Sequence, residues 1–261
     1  MCNLCPLPMS EGGKFFPLTS AVVSTLVLAE QLPSTNRWQR DHAHELGDWT
    51  LIATFSQTAG RGRLGRSWVS QPGESLAASV VFPAHTDQHR SWLPLVAGAA
   101  VVEAVQALGV ASVTLKWPND VLVGRAKLAG ILCEILPDNR VVVGLGVNLE
   151  ISSEHPPAPG ATGLSSHVAM VGEAPDVLLS AVVERLRLWD QVSGREAIEW
   201  ARAFVEPLMG TLGSAVSVIE NENTSWRGHA LGLDDSGHLL VRDDGRNDIR
   251  TVVASDILHL R

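Results

Sequence analysis

No tyrosine occurs anywhere in the 261 residues, and lysine occurs three times, at Lys14, Lys116 and Lys127. The first absence removes the phenol as an acid, base or hydrogen-bonding group in any pocket. The second leaves arginine as 17 of the 20 basic residues, so two of the three ammonium groups in the chain fall within fifteen residues of each other. Cysteine is limited to Cys2, Cys5 and Cys133. That odd, sparse set excludes a disulfide framework and suits a reducing compartment. Cys2-Asn3-Leu4-Cys5 has no second pair to complete a zinc site, and the nine histidines show no metal-ligand spacing. No apolar run approaches the ~20 residues that a membrane helix needs. The apolar stretch 21–29 is short and lacks a positive n-region, so neither a membrane partner nor a signal peptide is expected, and the expected location is cytoplasmic. A net charge of -8 argues against a general nucleic-acid binder, which carries a basic face. There is no Ser-His-Asp or Cys-His arrangement for covalent catalysis, and no internal repeat.

Against this acidic background stands one basic run, Gln57-Thr58-Ala59-Gly60-Arg61-Gly62-Arg63-Leu64-Gly65-Arg66-Ser67-Trp68. Glycine permits positive φ and close approach of backbone to a ligand. Arginine stays charged and grips planar oxyanions with a fork of donors. The run therefore suits a loop folding over an anionic small molecule, though a solvated basic turn satisfies the same residues. Its match to G-x-G-x-x-G is discounted as a dinucleotide fingerprint. That fingerprint needs a helix to start inside it, and 68–73 reads as loop and turn.

The remaining pattern is α+β. Apolar spacing predicts helices over 19–31, 91–108, 176–192 and 195–208, with another opening at Ser34 as N-cap. Strands are expected at 49–56, 76–82, 112–116, 121–123, 127–136 and 141–148, joined by short reversals. Such reversals imply a mixed, largely antiparallel sheet with helices on one face. Gly144 and Gly146 share one face of the last strand, where glycines mark close approach. Residues 150–163 read as a Pro/Ser/Gly-rich loop. From Ser214 the texture is all-β, a module of about fifty residues near the lower limit for independent folding and expected to lean on the main body. The expected divisions are a flexible tail over 1–15, a catalytic domain over 16–210 and a small β-domain over 211–261.

Five motifs stand in order: Ser34-Thr35-Asn36, the arginine run, Lys116-Trp117-Pro118-Asn119-Asp120, Lys127-Leu128-Ala129-Gly130-Ile131-Leu132 and Gly144-Leu145-Gly146-Val147-Asn148. Together they resemble the biotin protein ligase family from Ser34 to the C-terminus. The resemblance implies a class II aminoacyl-tRNA synthetase-like catalytic fold, an SH3-like C-terminal β-barrel, and a ligase that makes biotinyl-5'-AMP from biotin and ATP. The biotin then passes to a lysine of a biotin carboxyl carrier domain of a carboxylase. Mg²⁺ is expected with ATP.

By the same resemblance, Lys127 holds the biotin carboxylate and polarises the acyl carbonyl, with Arg63 as the second catalytic charge. Ser34, Thr35, Asn36, Gln57, Gly60, Arg61, Gly62, Arg63, Trp68, Gly130, Ile131, Leu132, Gly144 and Gly146 form the biotin pocket. Arg63, Arg66, Lys116, Asn119, Asp120 and Asn148 serve ATP, and Asp120 meets Mg²⁺. The residues alone leave other roles open: an N-cap at Ser34 or Thr35, a strand-edge gatekeeper at Lys127, a plain turn at Asn119-Asp120, core packing at Trp68, and a structural ion pair at Lys116. The 33 residues before Ser34 leave no room for the helix-turn-helix domain of bifunctional members, so no DNA partner is expected. Oligomeric state is left open, with a homodimer admitted. The related alternative is a lipoate or octanoate ligase or transferase, whose signature loops lack the Gly-Arg alternation.

Overall fold

The structure, a computed structural model, describes residues 16–151, 160–169, 172–221, 224–246, 248–253 and 255–260. The expected tail, Lys14, Cys2 and Cys5, and most of the expected 150–163 loop lie outside the described residues.

Seven strands form the main sheet: β1 (Thr25–Leu28), β2 (Thr50–Thr54), β5 (Ser75–Phe82), β6 (Val113–Lys116), β7 (Asp120–Val123), β8 (Ala126–Ile135) and β9 (Val141–Asn148). Between β2 and β5 a two-stranded ribbon pairs β3 (Gly60–Arg61) with β4 (Ser67–Trp68). The order in the main sheet is β1-β2-β5-β9-β8-β7-β6, and only β1 and β2 run parallel. The expected largely antiparallel α+β sheet is what forms.

The first helix is shorter than the apolar spacing suggested. Helix α1 covers Pro17–Val22, and the chain then extends into β1. Val22, Val23, Thr25 and Val27 are β-branched and stiff at χ1, which favours a strand once the β2 edge is available. Their apolar periodicity does not distinguish a buried edge strand from a helix, and pairing 25 residues downstream decides it.

Helix α2 (Thr35–Asp41) follows, with Ser34 Oγ accepting from the Arg37 N–H at its N-terminus. Helices α3 (Asp87–Ser91) and α4 (Leu93–Ala107) come after β5, and α5 (Ala174–Gln191) and α6 (Gly194–Val205) after β9. Helix α4 is buried nearly all round and crosses the sheet closely. A Cβ at Gly98 would meet Leu115 and Ile131 side chains. Because alternate strand residues point to opposite faces, Gly144 and Gly146 present the other face, toward α2 and the β3–β4 ribbon. Helices thus cover both faces at that end of the sheet, where one-sided cover was expected.

The C-terminal residues build a second antiparallel sheet from β10 (Ala215–Asn221), β11 (Thr224–Leu233), β12 (Leu239–Asp243), β13 (Ile249–Val252) and β14 (Asp256–His259), in the order β13-β12-β11-β10-β14. This sheet leans on the main body. Trp117 Nε1 donates to Gly237 O and Trp92 Nε1 to Asp235 O, each at 3.0 Å. Both indole rings are fully buried, so the join is apolar as well as polar.

Candidate active site

The sheet ends, the arginine turn and the C-terminal strands enclose a cavity of about 390 Å³, a size suited to a small organic ligand. Its floor is built by subtraction. Gly130 and Gly146 are paired across β8 and β9, and Gly144 pairs with Leu132. The Trp68 indole lies over Gly146, where a Cβ would come 2.8 Å from Trp68 Cε2, and over Gly130, where it would come 3.3 Å from Cζ3. Hydrogen at these positions lets the indole pack directly on the sheet. Lys127 Nζ stands 5.6 Å from the Trp68 ring centre, beside it in the cavity wall.

Lys127 Nζ also meets Asp120 Oδ1 at 2.6 Å. Strand β8 lies between β9 and β7, so the alternative role of Lys127 as an edge gatekeeper falls. Its backbone is fixed from two sides. The Lys127 carbonyl accepts from Asn148 Nδ2 at 3.2 Å and from Thr162 N at 2.9 Å.

The arginine run is a tight ribbon. Arg63–Gly65 makes a 3₁₀ turn, with Leu64 and Gly65 both in the left-handed region at φ 55° and 73°. Gly65 takes that conformation without steric penalty, and Leu64 is held there with its side chain exposed. Arg63 Nη1 reaches Asn119 Oδ1 at 3.4 Å, while Asn119 Nδ2 donates to Ile131 O at 2.7 Å. Asn119 is therefore a bridge between turn and sheet, more than a plain turn residue. Arg66 Nη2 donates to both oxygens of Asp256, at 2.8 Å each.

Five cations line the cavity (Arg61, Arg63, Arg66, Lys116 and Lys127) against two carboxylates, Asp120 and Asp256. This positive surplus sits in a chain of net charge -8, which points the site at an anion. Burial pushes the Arg63 guanidinium and the Lys116 ammonium below their ordinary pKa values, with Asp256 and Asp120 opposing the shift at both.

Thr35 and Asn36 are wired into the cavity wall. Gln57 Oε1 accepts from Thr35 N at 2.9 Å. Asn36 Nδ2 donates to Leu132 O at 3.1 Å and to Glu134 Oε2 at 2.8 Å, and Ser79 Oγ donates to Asn36 Oδ1 at 2.6 Å. Ser79 Oγ also lies 2.7 Å from Thr35 Oγ1. Both amide hydrogens of Asn36 are thus used inside the protein.

All but one of the twenty positions singled out from the sequence line this cavity, from Ser34, Thr35 and Asn36 to Asn148. Gly60 does not. It faces an adjoining cavity with Thr58 and Ala59, and a Cβ there would come 2.5 Å from Trp68 O. Ile131 contributes backbone, since its side chain packs toward Gly98. The sequence did not single out Ile219, Asp256, Ile257 and Leu258, which bring the C-terminal sheet to the same cavity. No spacing signals them, because contact with the turn forms 190 residues away. Ser79 was also missed, although a hydroxyl in the apolar strand 75–82 is a local signal.

Against known proteins, residues 28–149 match the Biotin/lipoate A/B protein ligase family, and residues 211–260 match the Biotin protein ligase C terminal domain. The biotin--[acetyl-CoA-carboxylase] ligase of Mycobacterium tuberculosis is 34% identical over 82% of this chain and 80% of its own length. The enzyme of the same name from Paracoccus denitrificans is 33% identical over 80% of this chain and 90% of its own. Among solved structures, the biotin protein ligase from Aquifex aeolicus in complex with biotin and ATP superposes with a TM-score of 0.72. It is 26% identical, and the match covers 91% of this chain and 99% of that one. The chain belongs to the biotin protein ligase family.

Proposed function

We propose that the chain activates biotin as biotinyl-5'-AMP and transfers it to a lysine of a biotin carboxyl carrier domain. The observation that carries this reading is the cavity itself, whose wall joins the Trp68 indole, seated on Gly130 and Gly146, to the Lys127 ammonium and the arginine turn. An apolar ring system with a carboxylate tail suits such a cavity, with its tail toward the ammonium.

In the first step a biotin carboxylate oxygen attacks the α-phosphorus of ATP, the bond to the β-phosphate oxygen breaks, and pyrophosphate leaves. Two anions have to approach, and charge builds on the phosphorus centre, so fixed cations matter more than proton transfer. Lys127 holds the carboxylate and then polarises the acyl carbonyl of the mixed anhydride. Arg63, Arg66 and Lys116 meet phosphates, Asn119 holds Arg63, and Asn148 fixes the Lys127 backbone. Gln57 and Thr35 meet the ureido end of biotin, with Asn36 and Ser79 holding them in place. In the second step the carrier amine attacks the acyl carbon and AMP leaves with the electron pair.

The donor set suits a magnesium ion that arrives on ATP. Among the described residues no group of three or more metal-binding side chains exists, and of the two cavity carboxylates Asp256 is engaged by Arg66. Asp120 is paired with Lys127 at 2.6 Å, so it would reach a hard ion, otherwise held by phosphate oxygens, once that ammonium turns to the biotin carboxylate.

The C-terminal five strands are read as an SH3-like barrel, with the division near residue 210, and the main body as a class II synthetase-like domain. The reducing interior of the cell is read as its location: among the described residues no helix is long and apolar enough to cross a membrane. The rival substrates are lipoate and octanoate. Exchange of labelled pyrophosphate into ATP, run with each acid in turn, separates them. Exchange supported by biotin alone is expected, and exchange with lipoate or octanoate but not biotin would transfer the reading to the rival.

A further inference from the structure

Asp256 opens β14, a strand of the C-terminal sheet, yet its carboxylate lies in the cavity wall beside the arginine turn. Both oxygens accept from Arg66 Nη2, and Arg66 Nε donates back to Arg63 O at 3.3 Å. The pair ties a C-terminal strand to the tip of the turn. As a staple it is weak. Its side chains are 58% and 36% exposed, and pairs this open contribute little to stability. Its significance is in where it sits. Asp256 acts electrostatically on Arg63 and Lys116 as well, so one carboxylate faces three of the five cavity cations. Carboxylate and phosphate oxygens are the same kind of acceptor for a guanidinium, at the same distance. A triphosphate entering among these cations meets Arg66 with its donor already taken, and meets a like charge beside it.

We propose that Asp256 is a positioning residue that exchanges with nucleotide phosphate for Arg66, so that it sets the affinity for ATP and couples the C-terminal sheet to nucleotide binding. This rests on the ATP-dependent reading of the site. Holding Arg66 in its cavity pose preserves the turn between encounters, and release of Asp256 leaves β14 without its tie to the turn when phosphates take Arg66.

The test is equilibrium dialysis of labelled ATP with Mg²⁺ against the full chain. Asp256→Asn removes the charge at constant shape and is expected to tighten ATP by about three- to tenfold, the scale of one charge removed at a partly solvated site. Asp256→Glu retains the charge and is expected to stay near the wild-type value. In an Arg66→Ala background the tightening by Asp256→Asn should largely vanish, because no donor is left to exchange. Unchanged or weaker ATP binding in Asp256→Asn overturns the proposal and leaves the ligase reading standing. Equal tightening with and without Arg66 overturns it too, since that reports bulk charge and no exchange. A wild-type chain that binds no ATP overturns the ligase reading and the proposal with it.

Discussion

At Gly146 a single hydrogen is what lets the Trp68 ring seat on the sheet in the cavity wall. A methyl there would lie 2.8 Å from Trp68 Cε2 and 3.0 Å from Cζ2, closer than carbon atoms pack. The ring has to tilt away from the floor or the strand has to shift. Gly146→Ala is therefore expected to weaken biotin binding by about tenfold or more, the equivalent of at least ~1.4 kcal/mol. The thermal midpoint should hardly fall, because alanine suits a strand better than glycine. Isothermal titration with biotin beside a melting curve checks both halves. Ser79 is the complementary case. Its hydroxyl is buried and donates to Asn36 while touching Thr35 Oγ1. Ser79→Ala leaves Asn36 Oδ1 without that donor, a loss of about 1–3 kcal/mol for a buried polar group left unmatched. Urea unfolding should register it, and biotin affinity should fall as well, because Thr35 and Gln57 depend on the same network.

At the scale of elements, the site was legible where chemistry and local conformation coincide. Gly144 and Gly146 share a face by the two-residue period of a strand, and the structure sets Gly144 against Asn36 and Gly146 against Trp68, both lining the cavity. The arginine turn was legible from its alternation with glycine, although only Gly65 uses positive φ and Gly62 is ordinary extended backbone. Lys127 and Asp120 were each singled out, but their 2.6 Å ion pair was not, because it depends on register across β7 and β8 and on a bulge at Val121/Leu122. The helix expected over 19–31 became a short helix and the strand β1 for a related reason: the choice lies in pairing with β2, which periodicity does not encode. Asp256, Ile257 and Leu258 were illegible, since nothing in a short β-strand announces which cavity it will border.

For the molecule as a whole, the two sheets meet through buried tryptophans, and a second aromatic stack adjoins that join through the helix 87–91. His89 stacks on Trp189 at 4.0 Å and on His85 at 4.2 Å, and His85 Nε2 meets Asp190 Oδ1 at 2.6 Å. Burial, and next the nearby His85, lower the His89 pKa from 6.5 to about 4. The folded state therefore refuses a proton that the unfolded chain accepts below about 6.5. Stability from this group is complete above that value and drains away as pH falls toward 4, by up to about 3 kcal/mol. Chemical unfolding across pH 7 to 4 should show the decline, and His89→Phe, which retains the stack and cannot titrate, should flatten it. An unchanged slope in the variant would assign the acid sensitivity elsewhere.

The central claim is that Lys127, beside Trp68 in the cavity wall, is where biotin becomes activated. Incorporation of labelled biotin into a purified carrier domain, with ATP and Mg²⁺, tests it in one assay with wild type and Lys127→Ala. On this claim the ammonium serves as a fixed charge for the reacting carboxylate, so its removal should cut transfer by about a hundredfold or more. Wild-type transfer that survives intact in Lys127→Ala would contradict the assignment and move the decisive charge to the arginine turn.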